Sequence, residues 1–307
     1  MNHIIHEPES TMTTRSGPMS ETGRERGRFL AALNRGPLVL DAALGTRLLA
    51  RGLDLRSDDP SLWNLTHPSE VLDIHERDVS AGSQALFSNT FGANRLWLAN
   101  YGRANAVEAI NRRAVALARR AAGPEGFVIG DIGPTAAEEA GAAAEQAAVL
   151  LDAGVDALVF ETYRADPLLR VLRELQATIG VPVPILASLW QWPEPPVTTA
   201  RRLLDLGVTA VGINCQPGID AAIALARRLD RAVSCPILIK PSASGDGAPD
   251  ASSTPSAFAA AVPRLLGYNV RLLGGCCGTT EAHVSALARA CSSYSHQKCT
   301  ERIGVGP

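Results

Sequence analysis

The sequence has no long apolar run. Nowhere in its 307 residues do about 18 consecutive apolar side chains occur, which excludes a transmembrane helix. The stretch 1–28 is polar, rich in Ser, Thr, Glu and Arg, and lacks the apolar centre of a secretory signal. It is expected to be a disordered extension, and 292–307 a flexible tail. The formal net charge is -2, so the chain as a whole makes no case for nucleic acid or an anionic membrane as partner. Lysine is nearly missing: Lys240 and Lys298 are the only two among 29 basic residues. That is a compositional bias, but it makes a lysine inside a strand conspicuous. Six cysteines in a chain of this length, without a signal, point to a reducing compartment, the cytoplasm. There thiols bind metal or do chemistry rather than form a disulfide framework.

What is present is a repeat of short apolar runs and helical segments. The runs are Leu38 to Leu40, Gln84 to Phe87, Phe127 to Ile129, Ala157 to Phe160, Ile185 to Ala187, Ala210 to Ile213, Ile237 to Ile239 and Val270 to Leu273. Continuous runs rich in Val, Ile and Leu suit parallel strands buried on both faces. Between them, Pro68 to Ala81, Ala104 to Ala122, Ala136 to Ala153, Thr198 to Leu206, Ala221 to Asp230 and Thr280 to Ala290 read as helices. Two of these end at a glycine, Gly154 and Gly207, as C-caps do. Eight such alternations predict an α/β fold, a single-domain (β/α)8 TIM barrel spanning 29–291. A doubly wound open sheet is the competing arrangement.

In a barrel of this kind chemistry sits where strands end and the following loops begin. Three of the six cysteines fall there: Cys215 after the sixth run, and Cys276 and Cys277 after the eighth. Adjacent thiols can be core filler, a strained disulfide, a redox pair or metal ligands. Strands six and eight lie two places apart, so their ends can share an ion. Neighbouring strand residues point to opposite faces, so both thiols can ligate only if the backbone bends. Gly274, Gly275 and Gly278 permit that bend. Three thiolates favour Zn2+ over magnesium or calcium. An all-sulfur site with an open position suits a thiol as the next ligand, held as a nucleophilic thiolate. That points to alkylation of a thiol more than to hydrolysis.

The segments "LDAALGT", "SNTFGANR", "GDIGPT", "ET", "GINCQP", "KPSA" and "GGCCGTT", in this order, resemble the zinc-dependent homocysteine S-methyltransferase family, over about Leu38 to Ala290. The Asn-Cys and Gly-Gly-Cys-Cys-Gly pair is the most specific part. The resemblance implies zinc on Cys215, Cys276 and Cys277, with the homocysteine sulfur as a further ligand. It implies Asp41 and Glu161 at the ammonium of the amino acid. Backbone amides near Ala43 to Thr46 and Ser88 to Thr90, with Thr46, Asn89 and Thr90, would lie at its carboxylate. The implied reaction is methyl transfer from a sulfonium or ammonium donor to homocysteine, giving methionine. A selenol such as selenocysteine, another small thiol as acceptor, or a separate methyl-carrier protein stays open, as does a homo-oligomer. Ala42 stands where the family usually has Gly, so the first loop can sit differently. No folate or corrinoid domain is expected after the cysteines.

Lys240 reads as a structural lysine at the barrel rim, with a Schiff-base lysine as the alternative. His67, His75 and His283 show no ligand spacing and are expected on helix surfaces. Trp190 and Trp192 either wall a donor pocket or pack a Pro-rich loop.

Overall fold

Eight parallel strands follow one another around a single sheet in a computed structural model that describes residues 21–135, 139–243 and 251–303. The strands are β1 (Leu38–Val39), β2 (Ala85–Phe87), β3 (Phe127–Ile132), β4 (Ala157–Tyr163), β5 (Ile185–Leu189), β6 (Val208–Pro217), β7 (Ile237–Ser242) and β8 (Val270–Leu273). Each pairs with its sequence neighbour from β2 to β8, and β8 pairs with β1. A parallel bridge between Leu40 and Ala85 links β1 to β2 and brings the barrel round on itself. All eight apolar runs expected to be strands are strands. The open-sheet alternative is ruled out by that pairing of first and last strands.

Helices cover the outside: α1 (Glu21–Arg35), α2 (Leu44–Ala50), α3 (Trp63–Thr66), α4 (Pro68–Ser80), α5 (Arg95–Ala99), α6 (Val107–Ala122), α7 (Ala140–Asp152), α8 (Ala165–Thr178), α9 (Pro196–Asp205), α10 (Gly218–Asp230), α11 (Pro255–Leu266) and α12 (Glu281–Ile303). Six of them, α1, α2, α3, α5, α8 and α11, are additional to the segments singled out above. The α11 pattern is interrupted by Pro263. The helix starts on a Thr254 side chain that accepts from the Ala257 amide, and Pro255 sits in its first turn, where a missing N–H costs nothing.

Two apolar layers result. Strand side chains facing outward pack with Leu150, Leu168, Leu172, Ala226, Phe258 and Leu287 of the helices. Those facing inward, including Leu40, Phe87, Ile129, Val159, Leu186 and Leu238, fill the barrel together with Phe29, Ala32 and Leu33 of α1. Helix α1 therefore plugs the N-terminal mouth. Arg28 reaches the Pro124 and Gly126 carbonyls just before β3 and pairs with Asp156 at 3.2 Å. Burying Phe29 and Leu33 stabilises this closure by about 1.5–3 kcal/mol each. That burial explains why helix α1 starts at Glu21, inside the stretch expected to be disordered. Helix α12 likewise runs past position 291 to Ile303. Residues 1–20 and 304–307 lie outside the described residues. No helix among the described residues is long and apolar enough to cross a membrane.

With the N-terminal mouth plugged, the opposite rim carries the loops. There a cavity of about 300 Å³ opens, lined by Asp41, Thr46, Phe87, Asn89, Thr90, Asp131, Glu161, Lys240 and the three cysteines, among others.

Candidate metal and substrate site

The three sulfurs converge. The ligand atoms of Cys215, Cys276 and Cys277 all lie within 4.8 Å of one another. Cys215 and Cys276 Sγ are 2.7 Å apart and Cys276 and Cys277 Sγ are 3.9 Å apart, all as free thiols. Two thiolates on a tetrahedral zinc, at about 2.3 Å from it, stand about 3.8 Å apart. The Cys276–Cys277 spacing matches, and Cys215 sits closer. Cys235 and Cys291 lie elsewhere in the outer layer.

The backbone makes this convergence possible. After β8 the chain bends through Gly275, where a Cβ would stand 2.3 Å from Thr279 Oγ1. Gly278 follows in the left-handed region at φ 78°. Thr279 Oγ1 donates to the Cys276 carbonyl at 2.7 Å and accepts from the Ala43 amide at 3.0 Å. The Gly278 amide donates to Thr46 Oγ1 at 3.3 Å. The cysteine loop and the first loop are thus clipped together. The first loop is also held from below: Asp78 accepts from the Ala42 amide at 3.3 Å and pairs with Arg47 at 2.5 Å.

Cys215 is placed differently. It takes a left-handed conformation, φ 57°, within β6, and Thr162 at the end of β4 has φ 65°. Such values in non-glycine residues are costly and need support. Asn214 supplies it. Its Oδ1 accepts from the Thr162 amide at 3.1 Å and from Ser188 Oγ at 2.8 Å. Its Nδ2 donates to Thr162 Oγ1 at 2.6 Å and to Cys215 Sγ at 3.3 Å. The side chain is fully buried.

Charge is concentrated here. Hydrogen bonds from Cys215 and Cys276 pull the Cys277 thiol down to about 3, burial opposing them. The same contacts, with burial, push Cys276 well up. The cluster therefore favours thiolate character at Cys277 beside the other two sulfurs, a donor set suited to a thiophilic cation.

Among the proposed substrate contacts, Asp41, Thr46, Asn89, Thr90 and Glu161 all line the cavity. Several have work already. Asn89 Nδ2 donates to the Pro60 carbonyl, and Thr90 Oγ1 donates to the Asp131 carbonyl, both at 2.6 Å. Asp41 accepts from Lys240 Nζ and from the Phe87 amide, each at 2.8 Å, through different oxygens. Lys240 is the structural lysine expected. Burial would lower its pKa, but Asp41 and Glu161 outweigh that and raise it, which keeps it an ion-paired cation and not a free amine.

Asp131 did not stand out from the sequence as a site residue. It sits in β3, opposite Val159, and lines the cavity beside Glu161. Burial raises both carboxyls, and a hydrogen bond between the two raises Asp131 further while it lowers Glu161; Lys240 pulls both down. Asp131 Oδ1 and Glu161 Oε1 are buried with no hydrogen-bond partner among the described residues.

The histidine expectation is corrected. His67 is exposed and stacks on Trp63 at 4.2 Å, as a surface residue can. His75 is fully buried, because α4 is covered by neighbouring helices on the side where it points, and neither ring nitrogen finds a partner among the described residues. His283 is buried too, its Nδ1 accepting from the Thr280 amide at 3.1 Å at the start of α12. Trp192 packs inward, donating to the Gly212 carbonyl at 2.9 Å, whereas Trp190 is exposed at the rim.

Fold and site together define a (β/α)8 barrel with a trio of thiols at its C-terminal rim, able to hold a metal ion. The homocysteine S-methyltransferase family model matches residues 38–291, and the chain belongs to that family. It is 29% identical to the methionine synthase of Mycobacterium tuberculosis over 85% of this chain and 25% of that protein. The chain thus spans about a quarter of the length of the curated relatives it matches. Among solved structures it is similar to the metallated form of the homocysteine methyltransferase MmuM from Escherichia coli. There the TM-score is 0.71 at 25% identity, over 85% of this chain and 99% of that one. A methyltransferase from Methanosarcina mazei shares the fold, with TM-score 0.60 at 12% identity, over 88% and 99%.

Proposed function

We propose that the protein methylates the thiol of homocysteine, forming methionine, with zinc held by Cys215, Cys276 and Cys277. The observation that carries this reading is the convergence of three free thiols at a cavity also lined by carboxyls, in a member of the homocysteine S-methyltransferase family. Zinc on these sulfurs would supply a position that holds the acceptor as thiolate at neutral pH. The rest of the chemistry belongs to the chain. The loop clip through Thr279 and the Asn214 network fix the cysteines. Glu161 faces the acceptor's ammonium. The first-turn amides of α2, which lack a carbonyl within their own helix, face its carboxylate beside Thr46, Asn89 and Thr90. An acceptor oriented in this way attacks in line. The sulfur lone pair forms the new S–C bond while the methyl's bond to a sulfonium sulfur or ammonium nitrogen breaks. The donor leaves as a neutral sulfide or amine, taking that electron pair. We place the protein in the cytoplasm, where these thiols stay reduced.

A second reading rests on the similarity to methionine synthases: the barrel would take its methyl group from a methyl-carrier protein. The test is metal analysis with zinc-edge X-ray absorption, with and without homocysteine. About one zinc bound by three sulfurs, rising to four with homocysteine, supports the assignment. Product analysis with betaine, S-methylmethionine or S-adenosylmethionine then identifies the donor, and a failure of all three, with the fourth sulfur present, favours the carrier. Absence of zinc from protein with reduced thiols overturns the reading.

A further inference from the structure

Among the described residues that line the cavity, Lys240 is the one lysine or arginine. It stands in β7, and the three cysteines come from the strands on either side, β6 and β8. Toward β6 it pairs with Asn214, the residue before Cys215. Toward β8, the carbonyl of its neighbour Pro241 accepts from the Cys276 amide, and the Ala243 amide donates to the Cys277 carbonyl, both at 2.8 Å. Leu238, two positions earlier, belongs to the layer that fills the barrel, so the Lys240 side chain lies on the same inward face. There Asp41 Oδ1 holds the ammonium at 2.8 Å, and the centre of the Phe87 ring lies 3.7 Å from it.

Burying an ion pair costs desolvation, and an apolar pair of similar size is often no less stable. Stability alone therefore gives no reason for a lysine at this place. The pair is also oriented. The second Asp41 oxygen is turned to the Phe87 amide of β2, at 2.8 Å, whereas Lys240 belongs to the strand between the cysteines. Burial works against the charge of Lys240, yet Asp41, Glu161 and Cys276 together raise its pKa. Building on the methyl-transfer reading above, we propose that Lys240 is the fixed counter-cation of the thiolate cluster, so that the metal takes a thiolate as its further ligand in preference to a neutral one. Three thiolates on Zn2+ already leave an excess of negative charge, and a thiolate acceptor adds to it. A cation held beside them offsets that charge with no reorganisation when the acceptor arrives. At an effective dielectric constant of about 20, a unit charge within about 10 Å is worth more than about tenfold in an equilibrium. Lys240 is not itself a metal ligand. It acts through the field at the metal, as a positioning residue.

The test uses protein loaded with cobalt(II) in place of zinc, whose absorption reports each thiolate that joins the metal. The probes are 2-sulfanylethanol, a thiol without amine or carboxyl, and imidazole, a neutral ligand. Both are titrated at neutral pH into wild type, Lys240→Met, Asp41→Asn and D41N/K240M. Lys240→Met should bind the thiol about tenfold or more weakly than wild type, and imidazole as wild type does. Asp41→Asn loses the same ion pair but keeps the cation beside Glu161, and should bind the thiol at least as tightly as wild type. D41N/K240M differs from Asp41→Asn only in the missing cation and leaves no lone charge from the pair, so it carries the comparison if Lys240→Met does not fold. It should bind the thiol about tenfold or more weakly than Asp41→Asn. Equal thiol affinity in Asp41→Asn and D41N/K240M, or a loss shared equally by thiol and imidazole, overturns the proposal and leaves the methyl-transfer reading standing. A metal that gains a sulfur from homocysteine but none from 2-sulfanylethanol does the same, since contacts to the amino acid would then bring the thiolate in. If wild type takes up no metal, or its metal gains a sulfur from neither thiol, that reading falls, and the proposal with it.

Discussion

Lys240 Nζ lies 2.8 Å from Asp41 Oδ1, joining the ends of β7 and β1 across 199 positions of sequence. Both side chains are buried, at 6% and 3% exposure. Removing one partner of such a pair leaves an uncompensated buried charge, at a cost of about 3–5 kcal/mol, whereas removing both can be nearly neutral. Lys240→Met should therefore destabilise strongly in urea unfolding, and D41N/K240M should recover most of the loss. The pH dependence has a definite sign. Lys240 is raised above its ordinary value, so its contribution is complete below about pH 10 and is lost only as pH climbs through the raised folded value. The gap between wild type and Lys240→Met should stay flat from neutral pH to about pH 9. A gap that closes within that range, or a borohydride-trapped carbonyl adduct at Lys240, contradicts the ion-pair role.

Asn214 makes four hydrogen bonds that hold Cys215 and Thr162 in left-handed backbone. Residues behind metal ligands typically cost about 10–100-fold in metal affinity when lost. Asn214→Ala is expected to fall in that range by chelator competition, with a stability loss of about 1–3 kcal/mol for the buried groups left unpaired. Wild-type zinc affinity in Asn214→Ala would show that Cys215 needs no such support.

The strands were legible because each is a continuous apolar run, and the runs recur at spacings that only helices fill. The cysteine trio was legible because barrel topology maps strand ends onto one rim. Other features depend on contacts between distant parts of the chain. Asp131 is visible in "GDIGPT" as a strand-end carboxylate, yet nothing in the sequence tells that it is buried against Glu161 with its Oδ1 lacking a partner among the described residues. Asp41 is equally visible, but its engagement by Lys240 is a tertiary fact. His75 lies on a helix whose polar residues suggest a solvated face, and only the packing of neighbouring helices buries it. Helix α1 was obscured by its polar first half, although Phe29 and Leu33 already carry the apolar stripe that plugs the barrel.

Gly275→Ala places a methyl group 2.3 Å from Thr279 Oγ1 and 2.6 Å from its Cγ2. Relief requires Thr279 to move, and Thr279 ties the Cys276 carbonyl to the Ala43 amide. The expected cost is about 1–3 kcal/mol, as for overpacking elsewhere, together with weaker zinc retention. Gly36→Ala is the control, since a Cβ there meets nothing within 4 Å. Equal stability and equal zinc content in the two variants would show that the bend tolerates a side chain.

His75 tests whether a buried, unpartnered ring makes the fold acid-sensitive. Burial lowers its pKa to about 4, with Asp41 pulling upward and Arg47 pushing downward. An unfolded histidine titrates near about 6.5, so between those values the unfolded chain binds the proton that the folded chain refuses. Stability is unaffected above about pH 6.5 and falls as pH drops toward 4, by up to about 1.4 kcal/mol per unit. Asp131 and Glu161, both raised, act in the opposite sense over the same range. They do so equally in a His75 variant, so the difference between the two proteins isolates the ring. His75→Leu fills a similar space and removes two unpaired nitrogens. It should match or exceed wild-type stability at pH 7.5, and its advantage should grow on acidification to pH 5. A constant difference between those two pH values would mean that His75 binds a proton in the folded protein as readily as in the unfolded one.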